Sequence, residues 1–145
     1  MGRCGVVKNR VLNNFQLSEH FKLYEFECPH CEAVKVTPQL IEVLERFREL
    51  TGNEPCVITS GYRCYYQNRK VGGAQNSRHL HGDAVDIRIW RYLERMTFEE
   101  LAQLALEAGF TYVAMEDDHL HADVRPLLPG QKPKIDDLRR KGVYE

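Results

Sequence analysis

Ten consecutive residues, Ser77-Arg78-His79-Leu80-His81-Gly82-Asp83-Ala84-Val85-Asp86, hold two imidazoles, two carboxylates and a glycine turn. Neutral imidazole nitrogen and carboxylate oxygen are the ligands a catalytic zinc ion takes, three from the protein with a fourth position left to water. Gly82 lets the chain turn, so groups on either side of it can converge on one point. A second cluster, His119-Leu120-His121-Ala122-Asp123, supplies what the first lacks. The chain therefore reads as a scaffold that brings these two stretches together. Spacing alone does not choose among the histidines, because His81 and His119 each stand two residues from another candidate, the repeat of one strand face.

A chain of 145 residues is the common size for one domain and large enough to bury a core. Twenty basic against twenty-one acidic side chains leave almost no net charge, so no long-range field favours a polyanion and nucleic acid is not expected as a partner. No run approaches the apolar length of a membrane span, and Met1 to Val11 has basic residues but no apolar signal-like core. The expectation is a protein made in the cytoplasm without a signal peptide, and a monomer. Five cysteines, an odd number, argue against a complete disulfide framework. Cys28-Pro29-His30-Cys31 has the spacing of half a zinc knuckle, and Cys56 and Cys64 are available to complete four thiolates around a second, structural zinc; the alternative is that these are small buried apolar residues with a turn at Pro29.

Residues 1 to 16 show no periodicity and are expected to form an irregular arm. From Leu17 to Phe26 a possible Ser18 cap and dense aromatic residues predict a short helix or turn on the core, with His20 at the surface or capping. Thr37-Pro38 announces a helix whose apolar positions Leu40, Val43, Leu44, Phe47 and Leu50 recur at helical spacing until Gly52, with Glu42, Glu45, Arg46 and Glu49 as a solvated face. Cys56 to Thr59 reads as a buried strand, Tyr62 to Lys70 as one or two helical turns, and Val71 to Ser77 as a loop. Ala84 to Ile89 alternates with period two, which turns Val85, Ile87 and Ile89 to the core and Asp86 away from it. Thr97-Phe98-Glu99-Glu100 is a capping box opening a second helix that runs to Gly109. A hairpin of Phe110 to Met115 and His119 to Val124 follows, around the acidic turn Glu116-Asp117-Asp118. After Pro126 the sequence predicts an extended tail, 126 to 145, with one helical turn near Asp136 to Lys141. The sum is a single α+β domain, with helices on one side of a mostly antiparallel sheet.

Ser77-x-His79-x-x-Gly82-x-Ala84-x-Asp86, preceded by Ser60-Gly61-Tyr62-Arg63 and Asn68-x-x-Val71-Gly72-Gly73-Ala74 and closed by His121-Ala122-Asp123-Val124-Arg125, resembles the zinc D-Ala-D-Ala carboxypeptidase family. That family includes L-alanyl-D-glutamate endopeptidases of phage lysins and shares its fold with the hedgehog signalling domain. The likeness spans Leu17 to about Arg125, the expected peptidase domain of residues 17 to 125. It implies His79, Asp86 and His121 as ligands of one catalytic zinc, with Arg63 and Ser77 beside the substrate. Asp123 is a candidate for fixing a ligand imidazole's tautomer.

Zinc brings the pKa of water towards neutrality and polarises a carbonyl, so hydrolysis then needs a carboxylate to carry the proton to the leaving amine. The family resemblance implies Asp118, three residues before the last ligand, as this base, with Glu116 and Asp117 as neighbours able to take the role. Arg63 is expected to stabilise an oxyanion or grip a peptide carboxylate; a salt bridge is its structural alternative. Ser77 could equally be a cap, and Tyr62, Tyr65 and Tyr66 either line a groove or pack in the core. The implied substrates are peptidoglycan stem peptides, cut next to D-amino acids by an enzyme that acts on the cell wall once released or as part of a phage. The rival from another class is a non-catalytic zinc-stabilised binding module of the same fold.

Overall fold

The computed structural model describes residues 13–140. The expected irregular arm lies outside them over residues 1–12, as does the end of the tail from Lys141. Within the described residues, helices α1 (Pro38–Leu50), α2 (Tyr65–Lys70) and α3 (Phe98–Ala108) accompany strands β1 (Ile58–Ser60), β2 (Ala84–Arg88), β3 (Tyr112–Met115), β4 (His119–Asp123) and β5 (Lys134–Asp137). The sheet order is β1-β2-β4-β3-β5, antiparallel throughout except for the parallel pair β3 and β5.

Local chemistry sets the two long helices. Thr37 Oγ1 accepts the Leu40 N–H at 3.3 Å, Pro38 occupies the first position where no N–H is needed, and α1 ends into Gly52 at φ +85°. In α3, Thr97 and Glu100 satisfy each other's backbone N–H groups at 3.0 and 2.8 Å. Leu44 and Phe47 of α1 and Leu101 and Ala105 of α3 share one core with Val85, Ile87, Val113 and Leu120. Alternation along β2 and β4 therefore commits one sheet face to the helices and leaves Asp86 and His121 on the other.

Register then brings the two motifs together, because antiparallel pairing places Asp86 directly opposite His121. Gly82, at φ +75°, turns the chain into β2. Its carbonyl accepts the Thr37 N–H at 3.0 Å, and a Cβ there would lie 2.7 Å from the Lys35 backbone. The position demands glycine both for its dihedral angle and for its close approach.

The structure departs from expectation at three places. Ser18 caps no helix: its hydroxyl donates to Glu45 at 2.5 Å, and His20 Nδ1 lies 2.7 Å from the same carboxylate, so Glu45 anchors the N-terminal segment to α1 instead of facing solvent. The first strand is shifted to Ile58–Ser60, with a bulge in its pairing to β2. After Pro126 no helical turn forms near Asp136. Lys134–Asp137 is a strand, held by the open edge of β3, by Ile135 against the core and by the Tyr112 hydroxyl, which donates to Asp136 at 2.8 Å.

Candidate metal centre and substrate cleft

Three side chains meet on the sheet face opposite α1 and α3. His79 stands in a single 3-10 turn, Arg78–His81, capped by Ser77, whose Oγ accepts the His79 N–H at 3.2 Å. Asp86 and His121 project from β2 and β4. His79 Nε2 lies 3.2 Å and His121 Nδ1 3.1 Å from Asp86 Oδ1, and a donor atom from each of the three lies within 4.8 Å of the others.

The outer nitrogens fix the tautomers. His79 Nδ1 is 2.7 Å from the Gly61 carbonyl, which only accepts, so this nitrogen carries the proton and Nε2 presents a lone pair. His121 Nε2 is 2.8 Å from Asp123, a fully buried carboxylate that also takes the Arg125 guanidinium at 2.7 Å. Its proton is likewise turned away, and Nδ1 faces inward. In neutral rings, two lone pairs and a carboxylate oxygen then point at one another, an arrangement stable only around a positive charge. Donor set and geometry both fit zinc, with the fourth side open to the cleft.

Electrostatics agree with that reading. Burial opposes ionisation of Asp86, yet in the metal-free protein its contacts with His121 and His79 hold its pKa well below the ordinary carboxylate range. Burial also disfavours charge on His121, but Asp123 and Asp86 outweigh it and push its pKa up to about 9. Arg63 adds a cation to the same group, with Nη2 at 3.3 Å from Asp86 Oδ2. Its other nitrogens donate to Ser60 Oγ at 3.2 Å and Asn68 Oδ1 at 3.1 Å. Gly73 permits this packing, since a Cβ there would overlap Asn68 and crowd the guanidinium.

The centre opens into a cleft of about 570 Å3, lined on its polar side by Arg63, Ser77, Arg78, Glu116, His119 and Arg125. Leu138, beyond β5, reaches the same cleft, so the segment after Pro126 takes part in shaping it. Arg125 stacks over the Tyr112 ring at 4.1 Å. Arg78 is paired with buried Asp83 at 2.5 Å. Tyr62, Tyr65 and Tyr66 are not among the lining residues, and His81 sits on an exposed turn facing Asn76.

The acidic turn is arranged otherwise than Asp118's place in the sequence implies. Asp118 is 90% exposed and does not line the cleft. Its carboxylate accepts from His119 Nδ1 at 2.8 Å, and His119 Nε2 points inward, 3.7 Å from Asp86 Oδ2. Asp117 is occupied by Arg140 at 2.5 Å, which lowers its pKa, and only Glu116 of the three acids lines the cleft. The sequence named His119 only as a histidine that spacing does not exclude, and gave it no role. Its signal was there, since it lies two positions before His121 on the same strand face.

Elsewhere, Cys64 joins Cys28 and Cys31, whereas Cys56 is buried apart from them. Burial disfavours ionisation of Cys28, but N–H groups of Cys64, His30 and Cys31 lower its pKa; burial and the charge of Cys28 push Cys31 up to about 11. No helix among the described residues is long and apolar enough to cross a membrane.

The family model for peptidase M15 matches residues 13–123. The zinc D-Ala-D-Ala carboxypeptidase of Streptomyces albus G is 35% identical over 83 residues. That alignment covers 54% of this chain but only 31% of the Streptomyces protein.

Proposed function

We propose, for a chain that belongs to the peptidase M15 family, that it is a zinc-dependent peptidase acting on peptidoglycan stem peptides at a bond flanked by a D-amino acid. The observation that carries this reading is the convergence of His79 Nε2, Asp86 Oδ1 and His121 Nδ1 at the floor of an open cleft. The name of the Streptomyces relative supports both the metal and the substrate class.

His79, Asp86 and His121 would hold the ion. Zinc there supplies a Lewis acid that polarises the scissile carbonyl and makes water nucleophilic near neutral pH. The chain's own residues do the rest. Arg63, fixed by Ser60 and Asn68, offers a guanidinium to the oxygen on which negative charge develops. His119 carries the proton from the attacking water to the leaving amine, with Asp118 holding its ring through Nδ1. Asp118 thus acts through His119 and not directly on the water. Arg125, beside Tyr112 at the cleft wall, and the Ser77 hydroxyl position the peptide, the former by attracting a carboxylate.

Mass spectrometry of defined stem peptides and cross-linked muropeptides, incubated with zinc-loaded protein and with a chelator-treated control, tests the proposal. Release of a terminal D-alanine assigns a carboxypeptidase, and an internal cut assigns an endopeptidase; both must stop on chelation. Zinc-loaded protein that cleaves none of these peptides sinks the reading in favour of a binding module.

A further inference from the structure

A second group of metal-ligating side chains lies outside the cleft. Cys28, Cys31 and Cys64 place their sulfurs within 4.8 Å of one another, although Cys64 comes from a different part of the chain. The surrounding backbone is arranged for sulfur carrying negative charge. N–H groups of His30 and of Cys64 each point at Cys28 Sγ from 3.4 Å, and the Gln67 N–H points at Cys64 Sγ from 3.4 Å. The turn itself is closed by Cys28 N–H to Ala33 O at 2.7 Å and by Glu32 in a left-handed conformation at φ +64°.

A fourth donor stands beside Cys64. His30 Nδ1 is 3.4 Å from Cys64 Sγ, and its ring is stacked on Tyr66 at 4.2 Å. A tetrahedral zinc with Zn–S of about 2.3 Å and Zn–N of about 2.0 Å has sulfur–sulfur edges of about 3.8 Å and sulfur–nitrogen edges of about 3.5 Å. The 3.4 Å between His30 Nδ1 and Cys64 Sγ is the length of a sulfur–nitrogen edge, the three sulfurs already lie within 4.8 Å of one another, and the His30 ring has to swing towards Cys28 and Cys31 to complete the frame.

We propose that Cys28, Cys31, Cys64 and His30 form a structural zinc site, distinct from the catalytic centre. Such closed sites with four protein ligands contribute to folding and not to turnover. The ion would strap the 28–31 turn to Cys64, the residue that caps α2 and follows Arg63 directly. The same join is already tightened by Tyr62 N–H to Phe26 O at 2.9 Å and by Gly61, where a Cβ would lie 2.7 Å from Phe26 Cα. Zinc at this corner therefore fixes the backbone from which Arg63 reaches Asp86. Three thiols cannot all be satisfied by one disulfide, which joins only two and needs a sulfur–sulfur distance of about 2.05 Å.

The test is metal content and X-ray absorption of protein produced under reducing, zinc-replete conditions. Wild type should hold two zinc equivalents. A His79→Ala/His121→Ala variant, which leaves the cysteines untouched, should keep one whose absorption shows three sulfurs at about 2.3 Å and one nitrogen. Cys31→Ser/Cys64→Ser should lose that equivalent and melt at a lower temperature, and His30→Ala should lose the nitrogen from the sulfur-bound shell. The proposal is overturned if the histidine variant holds no zinc, if its zinc shows no sulfur neighbours, or if intact mass reveals a disulfide among these cysteines. None of these readouts depends on peptide cleavage.

Discussion

At the scale of single residues, the site is governed by where each imidazole keeps its proton. His121 is held charged up to about pH 9 in the metal-free protein, by Asp123 and Asp86 against the cost of burial. Its folded pKa lies above the ordinary histidine value of about 6.5, so the stability it contributes is fully present below about pH 6.5 and is lost as pH rises through about 9. Zinc requires the neutral ring, so binding at pH 7 must expel a proton and the apparent affinity must rise with pH towards about 9. Calorimetry of zinc uptake in buffers of different ionisation enthalpy should report that release; uptake without proton release would contradict it. His119 gives a second prediction. His119→Ala should lower kcat about 100-fold or more while zinc content is unchanged, and Asp118→Ala should cost less and shift the pH profile, since it only orients the ring. Equal activity of His119→Ala and wild type would move the proton-carrying role to Glu116. Of the site, residue types and approximate positions were legible in the sequence. Asp123 was named from the sequence as a partner for a ligand imidazole, but which nitrogen faces inward was not legible, because for His79 it depends on the Gly61 carbonyl, which only the folded backbone supplies.

At the scale of elements, the centre depends on register and on one turn. Asp86 opposite His121 follows from the β2–β4 pairing, and a one-residue slip would send either side chain to the helix face. Gly82 sets the entry to β2, so Gly82→Ala should cost about 2 kcal/mol or more, from the left-handed dihedral and the contact with the Lys35 backbone. Urea unfolding measures it, and a stability unchanged from wild type would show that the turn can relax. The helices and central strands were readable because capping chemistry and apolar alternation agree there. Strand β5 was not: Lys134, Asp136 and Asp137 leave only Ile135 to signal a strand, and its order comes from an edge of β3 far away in sequence. Ser18 misled for a similar reason, its hydroxyl being claimed by Glu45 of α1.

At the scale of the molecule, one face of the sheet carries the core and the other carries the chemistry. Helices α1 and α3 share the core with one face of the sheet, the 60–78 segment brings Arg63 and Ser77 to the cleft, and the β3–β5 side brings Tyr112 and Leu138 to it. The fold class followed from the order of elements, but the cleft could not, since its walls join segments without a common sequence pattern. The account rests on the claim that His79, Asp86 and His121 bind one zinc through the nitrogens that Gly61 and Asp123 turn inward. Anomalous scattering at the zinc edge, from crystals of the zinc-loaded protein, tests this directly. The expected result is a peak about 2.0–2.2 Å from His79 Nε2, an Asp86 oxygen and His121 Nδ1. No peak at that point, or one held by His121 Nε2 with Asp123 displaced, would contradict it.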